Sequence, residues 1–365
     1  MQRQDVPTIL LRPLQNTLSL YRVQATELPH STVQLPPLPA GWQLVTMAVL
    51  PDRSLGLLGT DVDLAGAWAR VHRQETEPLP ADSPDRPQPV AARGIARVWR
   101  FDGTALHDGP TVPLESPTLR LAGFLDGRWL IAAANARDEP NGRLIAPNGT
   151  LLSRFHLGDA VEYLDIDAND RAWVGWFDQG IFRNMDRFPE AMDRTAVVAA
   201  CFSADGPLLS VGPVPQAAGF LADVYAMTVA DDGAWVCPYT EFPLLNLRPG
   251  QPVRWWRNAL TGVNAIATDG RHVLLAGGYG DDATRLVLVA LQGDGRGENT
   301  RVLASWRLPL VKRVSLEHEH PSLAEHFIWE RPMLLAGKGD MLHLVNGETW
   351  YSWRVADAVG ALGRT

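Results

Sequence analysis

The densest group of candidate metal ligands in the sequence is the segment SLEHEHPSLAEHF, residues 315–327. Alternate side chains of an extended strand share a face, so His318 and His320 would project to the same side. Two imidazoles at this spacing, completed by Glu325 or His326, would suit Zn²⁺ or another transition metal. Two other interpretations stay open: an exposed polar loop, and histidines that titrate near neutral pH beside carboxylates.

A second group of candidate residues follows a strand-like run at WFDQG, residues 176–180. A carboxylate at Asp178 beside the rings of Trp176 and Phe177 would suit a bound cation or a general base. The alternative is that Asp178 caps a turn in which Gly180 supplies a positive φ.

Further polar and aromatic side chains fall in other connections that follow strand-like runs. Carboxylate and amide oxygens are ligands for Ca²⁺ or Mg²⁺. The sequence therefore allows a divalent metal (Ca²⁺, Mg²⁺ or Zn²⁺) but assigns no cofactor and no catalytic residue with certainty. The predicted ligand-binding face consists of Asn135, Asp138, Trp176, Asp178, Gln179, Asn184, Glu241, Tyr279 and Asp281.

Composition and missing motifs exclude several classes of function. The chain has 365 residues, a formal net charge of -8, 46% hydrophobic and 20% charged residues, as an ordinary globular protein has. It has no cluster of Lys and Arg, which argues against a nucleic-acid partner. No apolar run approaches the roughly 18 residues of a membrane span, so we predict no membrane partner and a cytoplasmic location. The motifs GxxxxGK[ST], GxSxG and HExxH do not occur.

The elements that must position these residues are β-hairpins. The sequence repeats one unit, in which two apolar runs flank a short turn of Asp, Asn or Gly, and this is a strong hairpin signal. The more apolar hairpins, predicted to be the inner pairs, cover residues 45–59, 119–134, 161–176, 224–239 and 263–278. The hairpins that alternate with them, predicted to be the outer pairs, cover residues 96–109, 143–155, 199–212, 244–256, 286–306 and 342–353.

The turn glycines of the outer hairpins recur at intervals of 40 to 60 residues, with four strands in each interval. They are Gly103, Gly149, Gly206, Gly250, Gly295 and Gly347. This period predicts an all-β fold, a single β-propeller with six four-stranded blades, or alternatively seven. Tryptophans recur in the second inner run, where packing between blades needs them: Trp129, Trp173 and Trp235.

The pattern resembles the bacterial β-propeller superfamily of YVTN/NHL-like and WD40-like proteins, over nearly the whole chain. No repeat carries the GH and WD pair of true WD40 repeats. The run DIDANDRAWVGWFDQGIF, residues 165–182, is similar to a stretch of bacterial propeller proteins of unknown function, so the resemblance implies a fold and no activity. We predict an N-terminal segment at 1–40 that packs on or closes the propeller, the propeller at 41–356 and a tail at 357–365.

One face of the predicted propeller carries the longer loops. In each blade the connection from the second to the third strand (the B–C connection) is long, whereas the hairpin turns are short. These connections span 60–92, 135–142, 177–194, 238–243 and 279–284. Long surface loops on a rigid scaffold commonly carry binding groups. We call this side the long-connection face.

Three functions remain open on this evidence. The first is a non-catalytic propeller that binds a protein partner or a small ligand on the long-connection face. The second is a metal-dependent hydrolase or lactonase with its site in the central channel, which would need at least three converging Asp, Glu, Asn or His side chains. The third is a sugar-binding propeller that uses tryptophan rings as platforms. We favour the first.

Overall fold

A computed structural model describes residues 27–64, 94–135, 139–184, 197–309 and 333–364. Alternating apolar residues and short turns make nearly all of its regular structure β-strand. The first half of the described chain forms strands β1 to β13, which span Ser31–Gln34, Gln43–Val49, Leu55–Thr60, Ile95–Phe101, Leu106–Pro113, Leu119–Gly123, Trp129–Ala133, Gly142–Ile145, Leu151–Phe155, Val161–Ile166, Ala172–Trp176, Val197–Phe202 and Leu208–Pro213.

The second half forms strands β14 to β24, which span Leu221–Ala230, Gly233–Thr240, Leu244–Leu247, Arg254–Arg257, Ala265–Thr268, His272–Ala276, Arg285–Leu291, Arg296–Arg307, Met333–Lys338, Met341–Asn346 and Thr349–Arg354. Two short α-helices accompany them, α1 at Asp178–Arg183 and α2 at Val355–Ala361. Single 3-10 turns lie at Gln216–Ala218, Gly280–Thr284 and Leu362–Arg364.

The sheets are arranged as in a β-propeller. Four of them have four strands, in the orders β2-β3-β4-β5, β6-β7-β8-β9, β10-β11-β12-β13 and β1-β24-β23-β22. The innermost strands touch their neighbours in the order β2, β6, β10, β14, β18, β22, and β22 touches β2 again. This closed ring of inner strands is the propeller architecture that the sequence predicts.

The fifth sheet has eight strands, and its size corrects the predicted blade count. The strands β14 to β17 and β18 to β21 each form an antiparallel meander, and a parallel pairing of β17 with β21 joins the two. The strand β21 is 12 residues long. Residues 300–307 of it pair with β20, while residues 296–299 pair with β17. The prediction of six or seven separate four-stranded blades is therefore wrong, because hydrogen bonding produces five sheets.

The last sheet takes its outermost strand from the N-terminal part of the chain. The strand β1 pairs antiparallel with β24, with Val33 opposite Trp350. The sequence assigned residues 342–353 to an outer hairpin, but they form the second and third strands of this sheet. The residue bounds predicted for the N-terminal segment, propeller and tail stay a prediction.

Apolar side chains fill the interfaces between sheets. Trp129 of β7 packs on β3 of the preceding sheet, where a Cβ added to Gly56 would lie 2.9 Å from its ring. Trp173 and Trp235 are also buried. The tryptophans of the second strands are thus core residues, as the sequence predicts.

Among the described residues no helix is long and apolar enough to cross a membrane.

Candidate functional site

A cavity of about 290 Å³ lies at the propeller axis, bordered by residues of five inner strands, β2, β6, β10, β14 and β22. The inner strand β18 contributes no residue to this lining. At one end of the axis β22 lies directly against β14, since the Gly339 amide donates to the Val229 carbonyl at 3.0 Å. The cavity is therefore enclosed by five strands rather than by the six of the ring.

A buried ion pair closes the end of the cavity opposite the long-connection face. The Lys338 ammonium donates to the Asp165 carboxylate at 2.5 Å and to the Ile166 carbonyl at 2.7 Å. Both charged residues stand at the ends of their strands, so they join β22 to β10 across the axis. Burial raises the pKa of Asp165, and the adjacent Lys338 opposes that shift.

A second ion pair lies nearer the long-connection face. Arg120 of β6 donates from its guanidinium to the Glu162 carboxylate at 2.6 Å and from Nε to the Glu162 carbonyl at 2.8 Å. Their side chains are 28% and 39% exposed. Both residues line the cavity, so this pair presents hydrogen-bond donors and acceptors to anything that enters it.

Asp223 lies near the start of β14, at the long-connection end of the strand and outside the cavity lining, and it is only 7% exposed. The backbone amides of Asp178 and Val224 lower its pKa, against the effect of burial. Its Oδ1 atom is buried and has no hydrogen-bond partner among the described residues. Burial, reinforced by the charges of Glu162 and Asp178, raises the pKa of Asp223 to about 6.

Four rings form an aromatic cluster next to Asp223. Tyr225 stacks on Phe242 with ring centroids 5.3 Å apart, and the rings of Tyr239 and Tyr279 meet it edge-on at 5.6 and 6.2 Å. Tyr239 and Tyr279 are 40% and 54% exposed. The Tyr163 hydroxyl fixes the cluster from the cavity side by donating to the Tyr225 carbonyl at 2.5 Å.

Two of the predicted site residues serve the scaffold around the helix α1. Trp176 is buried, and its indole N–H donates to the Leu157 carbonyl at 2.8 Å. Asn184 is also buried, and its amide oxygen accepts from the Asp159 amide at 2.8 Å while its amide nitrogen donates to the Asp159 carbonyl at 3.1 Å. These side chains position the connection that carries Asp178.

The other predicted residues are spread around the long-connection face. Asn135, Asp178, Glu241 and Tyr279 are exposed, with Asp178 in the first turn of α1. The backbone of Gln179 lies in α1, and that of Asp281 lies in the 3-10 turn Gly280–Thr284. Of the whole predicted set, two residues interact electrostatically with Asp223: the charge of Asp178 helps to raise the pKa of Asp223, and the charge of Asp223 helps to raise the pKa of Tyr279.

Three predicted residues, Asp138, His318 and His320, lie outside the described residues. Within the described ranges, no three or more His, Cys, Asp or Glu side chains are grouped so that they could hold a metal ion. The predicted metal site at His318 and His320 stays a prediction.

Sequence reasoning missed the charged residues of the inner strands. Arg120, Glu162, Asp165, Asp223 and Lys338 all lie in strands whose other residues are mainly apolar. A charged residue within an innermost strand must face either the channel or a buried partner, because the strand has no other polar surroundings. That signal was present in the predicted inner hairpins for Arg120, Glu162 and Asp165, whereas Asp223 and Lys338 lie outside the predicted bounds.

Replacing Asp223 with Asn is expected to flatten the pH dependence of stability. The folded-state pKa of about 6 exceeds the ordinary value of 3.8, so the folded protein holds this proton more tightly than the unfolded chain. Protonated Asp223 therefore contributes to the stability of the folded state. This contribution is complete at low pH and is lost as the pH rises through about 6. Relative to the Asn variant, the parent protein should lose up to about 3 kcal/mol between roughly pH 4 and 7.

Urea unfolding at both ends of that range measures the difference. Asp231→Asn, in the exposed turn of the same hairpin, is the matched control and should leave the pH dependence unchanged. Equal pH dependence in the parent and Asp223→Asn would show that burial does not perturb this carboxyl.

Comparisons with known proteins add likenesses of fold only. No family model matches the chain, and no curated protein matches it. Among solved structures it is similar to a gluconolactonase from Xanthomonas campestris, at 11% identity and a TM-score of 0.41, over 89% of this chain and 97% of that one. It is also similar to a protein from Lactobacillus plantarum, at 13% identity and a TM-score of 0.38, over 69% and 71% of the two chains.

A humanized mutant of the Polycomb Repressive Complex 2 from Chaetomium thermophilum is a third such structure, at 13% identity and a TM-score of 0.41, over 78% of this chain and 68% of that one. These similarities are too low to transfer an activity. The propeller assignment therefore rests on the ring of inner strands.

Proposed function

We propose that this protein binds a small ligand in its central cavity, entered from the long-connection face. The observation that supports this most is the convergence of Arg120, Glu162 and Asp165 in the lining of one cavity of about 290 Å³. Small-ligand sites combine a concave surface with a few well-placed polar groups. The Lys338–Asp165 pair at the far end favours entry from the long-connection face.

Binding of at least one of three probes, benzylamine, benzoate and glucose, is expected in titration calorimetry. Replacing Ala48, which lines the cavity, with Phe should weaken that binding at least about tenfold, because the added ring fills space the probe needs. Ala105→Phe, in an exposed turn of the same sheet, is the matched control and should bind like the parent.

Two results would contradict the proposal: no saturable binding of any probe, or binding that Ala48→Phe leaves unchanged. If Ala48→Phe does not fold, Ala336→Phe provides a second variant, because Ala336 also lines the cavity. Its added ring should weaken binding for the same reason.

Binding of a protein partner on the long-connection face is a second candidate function. Phe182 and Phe220 stack at 6.2 Å near the aromatic cluster, and both remain exposed. Exposed apolar patches of this kind occur at protein interfaces. The cytoplasmic location and the lack of a nucleic-acid partner stay predictions from the sequence.

The metal-dependent hydrolase or lactonase stays the alternative. Elemental analysis of protein purified without chelator tests it, since a stoichiometric metal that is lost in Asp178→Asn or His318→Ala would favour this activity. Metal-free protein that binds one of the three probes would favour the binding function.

A further inference from the structure

We propose that the entrance of the central cavity recognises a primary or secondary ammonium group, with the Asp223 carboxylate accepting its N–H and the aromatic cluster flanking its charge. This inference rests on the proposed small-ligand function and names the chemical class of the ligand. Three independent features of the entrance support it.

The first feature is the missing donor at Asp223. The side chain is 7% exposed, and its Oδ1 atom has no partner among the described residues. A buried carboxylate oxygen without a donor is unfavourable, whereas buried polar groups in native proteins are normally hydrogen-bonded. A ligand N–H at this position would supply the missing hydrogen bond.

The second feature is the balance of charge around that oxygen. Glu162 on β10 and Asp178 on α1 both act on the Asp223 carboxylate as like charges. Arg120, the cation beside Glu162, already donates to that carboxylate. A cationic ligand group would offset this excess of negative charge, while an anionic one would increase the repulsion.

The third feature is the position of the rings. Asp223 stands directly opposite Tyr239 in the pairing of β14 with β15, so the two side chains share a face of the sheet. Tyr239 in turn meets Tyr225 and Phe242 at 5.6 and 5.7 Å between ring centroids. Aromatic faces attract cations within about 6 Å of the ring centre.

These features together distinguish among cations. A divalent metal would need several oxygen ligands, and the described part of the chain has no group of three or more suitable side chains. A quaternary ammonium would contact the rings but has no N–H to donate to Asp223. An ammonium with at least one N–H satisfies both the carboxylate and the rings.

Titration calorimetry with three matched probes tests the inference: benzylamine, benzyltrimethylammonium and benzyl alcohol. They share one ring and differ in charge and in the N–H donor. We expect benzylamine, cationic at about pH 7.5, to bind at least about tenfold more tightly than either of the others, because a hydrogen bond to a charged group is worth that factor or more.

Asp223→Asn should remove most of this preference, because it eliminates the charge while keeping the shape of the side chain. Asp231→Asn, in the turn at the other end of the same hairpin, is the matched control and should keep the preference. Tyr279→Ala should weaken benzylamine and benzyltrimethylammonium alike, since it removes a ring that both cations would contact.

The remaining outcomes distinguish failure of the ammonium inference from failure of the small-ligand function. Equal binding of the three probes, or equal preference in the parent and Asp223→Asn, would overturn the ammonium inference. Binding of benzoate or glucose that Ala48→Phe abolishes, without binding of benzylamine, would overturn the inference while the small-ligand function stands. Failure of every probe would count against both.

Discussion

Replacement of Gly337 by Ala is expected to cost about 3 kcal/mol or more, or to prevent folding. The strand β22 passes so close to β18 that a Cβ on Gly337 would lie 1.5 Å from the Ile266 carbonyl oxygen and 3.0 Å from the Thr228 hydroxyl. The first of these distances is far below any van der Waals contact. Because the Ile266 oxygen belongs to the backbone, the clash cannot be relieved by rotating a side chain. Overpacking that forces the backbone to move costs roughly 1–3 kcal/mol and sometimes more.

Urea unfolding followed by tryptophan fluorescence measures this effect. Gly360→Ala is the matched control, because Gly360 lies in α2 and an added Cβ would meet nothing within 4 Å. That variant should gain roughly 0.5–1 kcal/mol from the higher helix propensity of Ala. Equal stability of Gly337→Ala and the parent would mean that β22 and β18 do not meet as described.

Replacement of Lys338 by Met is expected to cost about 3–5 kcal/mol, because it leaves the Asp165 carboxylate buried without its counter-ion. The side chains of Lys338 and Asp165 are 9% and 16% exposed, so water compensates little for the loss. Adding Asp165→Asn should recover part of the stability. The Asn oxygen can still accept from the Ile166 amide, as the carboxylate does at 2.7 Å.

The same unfolding experiment compares this buried pair with an exposed one. Arg53 and Asp340 form an ion pair at 2.6 Å, with side chains 40% and 32% exposed. Arg53→Met should therefore cost less than about 1 kcal/mol. A loss of that small size in Lys338→Met, or no recovery in the double variant, would show that burial does not strengthen the ion pair between Lys338 and Asp165.

Most of the local structure was predictable from the sequence. The five inner hairpins predicted from apolar runs correspond to β2 with β3, β6 with β7, β10 with β11, β14 with β15 and β18 with β19. The six turn glycines of the repeat all have positive φ, for example +97° at Gly103 and +89° at Gly149. Hairpins and their turns depend on neighbouring residues, so a local pattern is enough to predict them.

The candidate site was less predictable. Loop composition led to residues of the long-connection face, of which Asp178 and Tyr279 interact electrostatically with Asp223. Trp176 and Asn184, chosen for the same reason, are buried parts of the scaffold. Whether a polar residue at a strand end faces a ligand or supports a loop depends on contacts with distant segments, which a local pattern does not contain.

The amino-acid sequence by itself determined the class of the fold, the inner hairpins, the turn positions and the tryptophan packing, because each follows from local spacing of apolar residues and glycine. Tertiary structure alone decided the joining of β17 to β21, the choice of β24 as the pairing partner of β1 and the meeting of Lys338 with Asp165 across the axis. These contacts join residues about 40 to more than 300 positions apart. They join different repeats of the chain, so no periodicity within a single repeat specifies them.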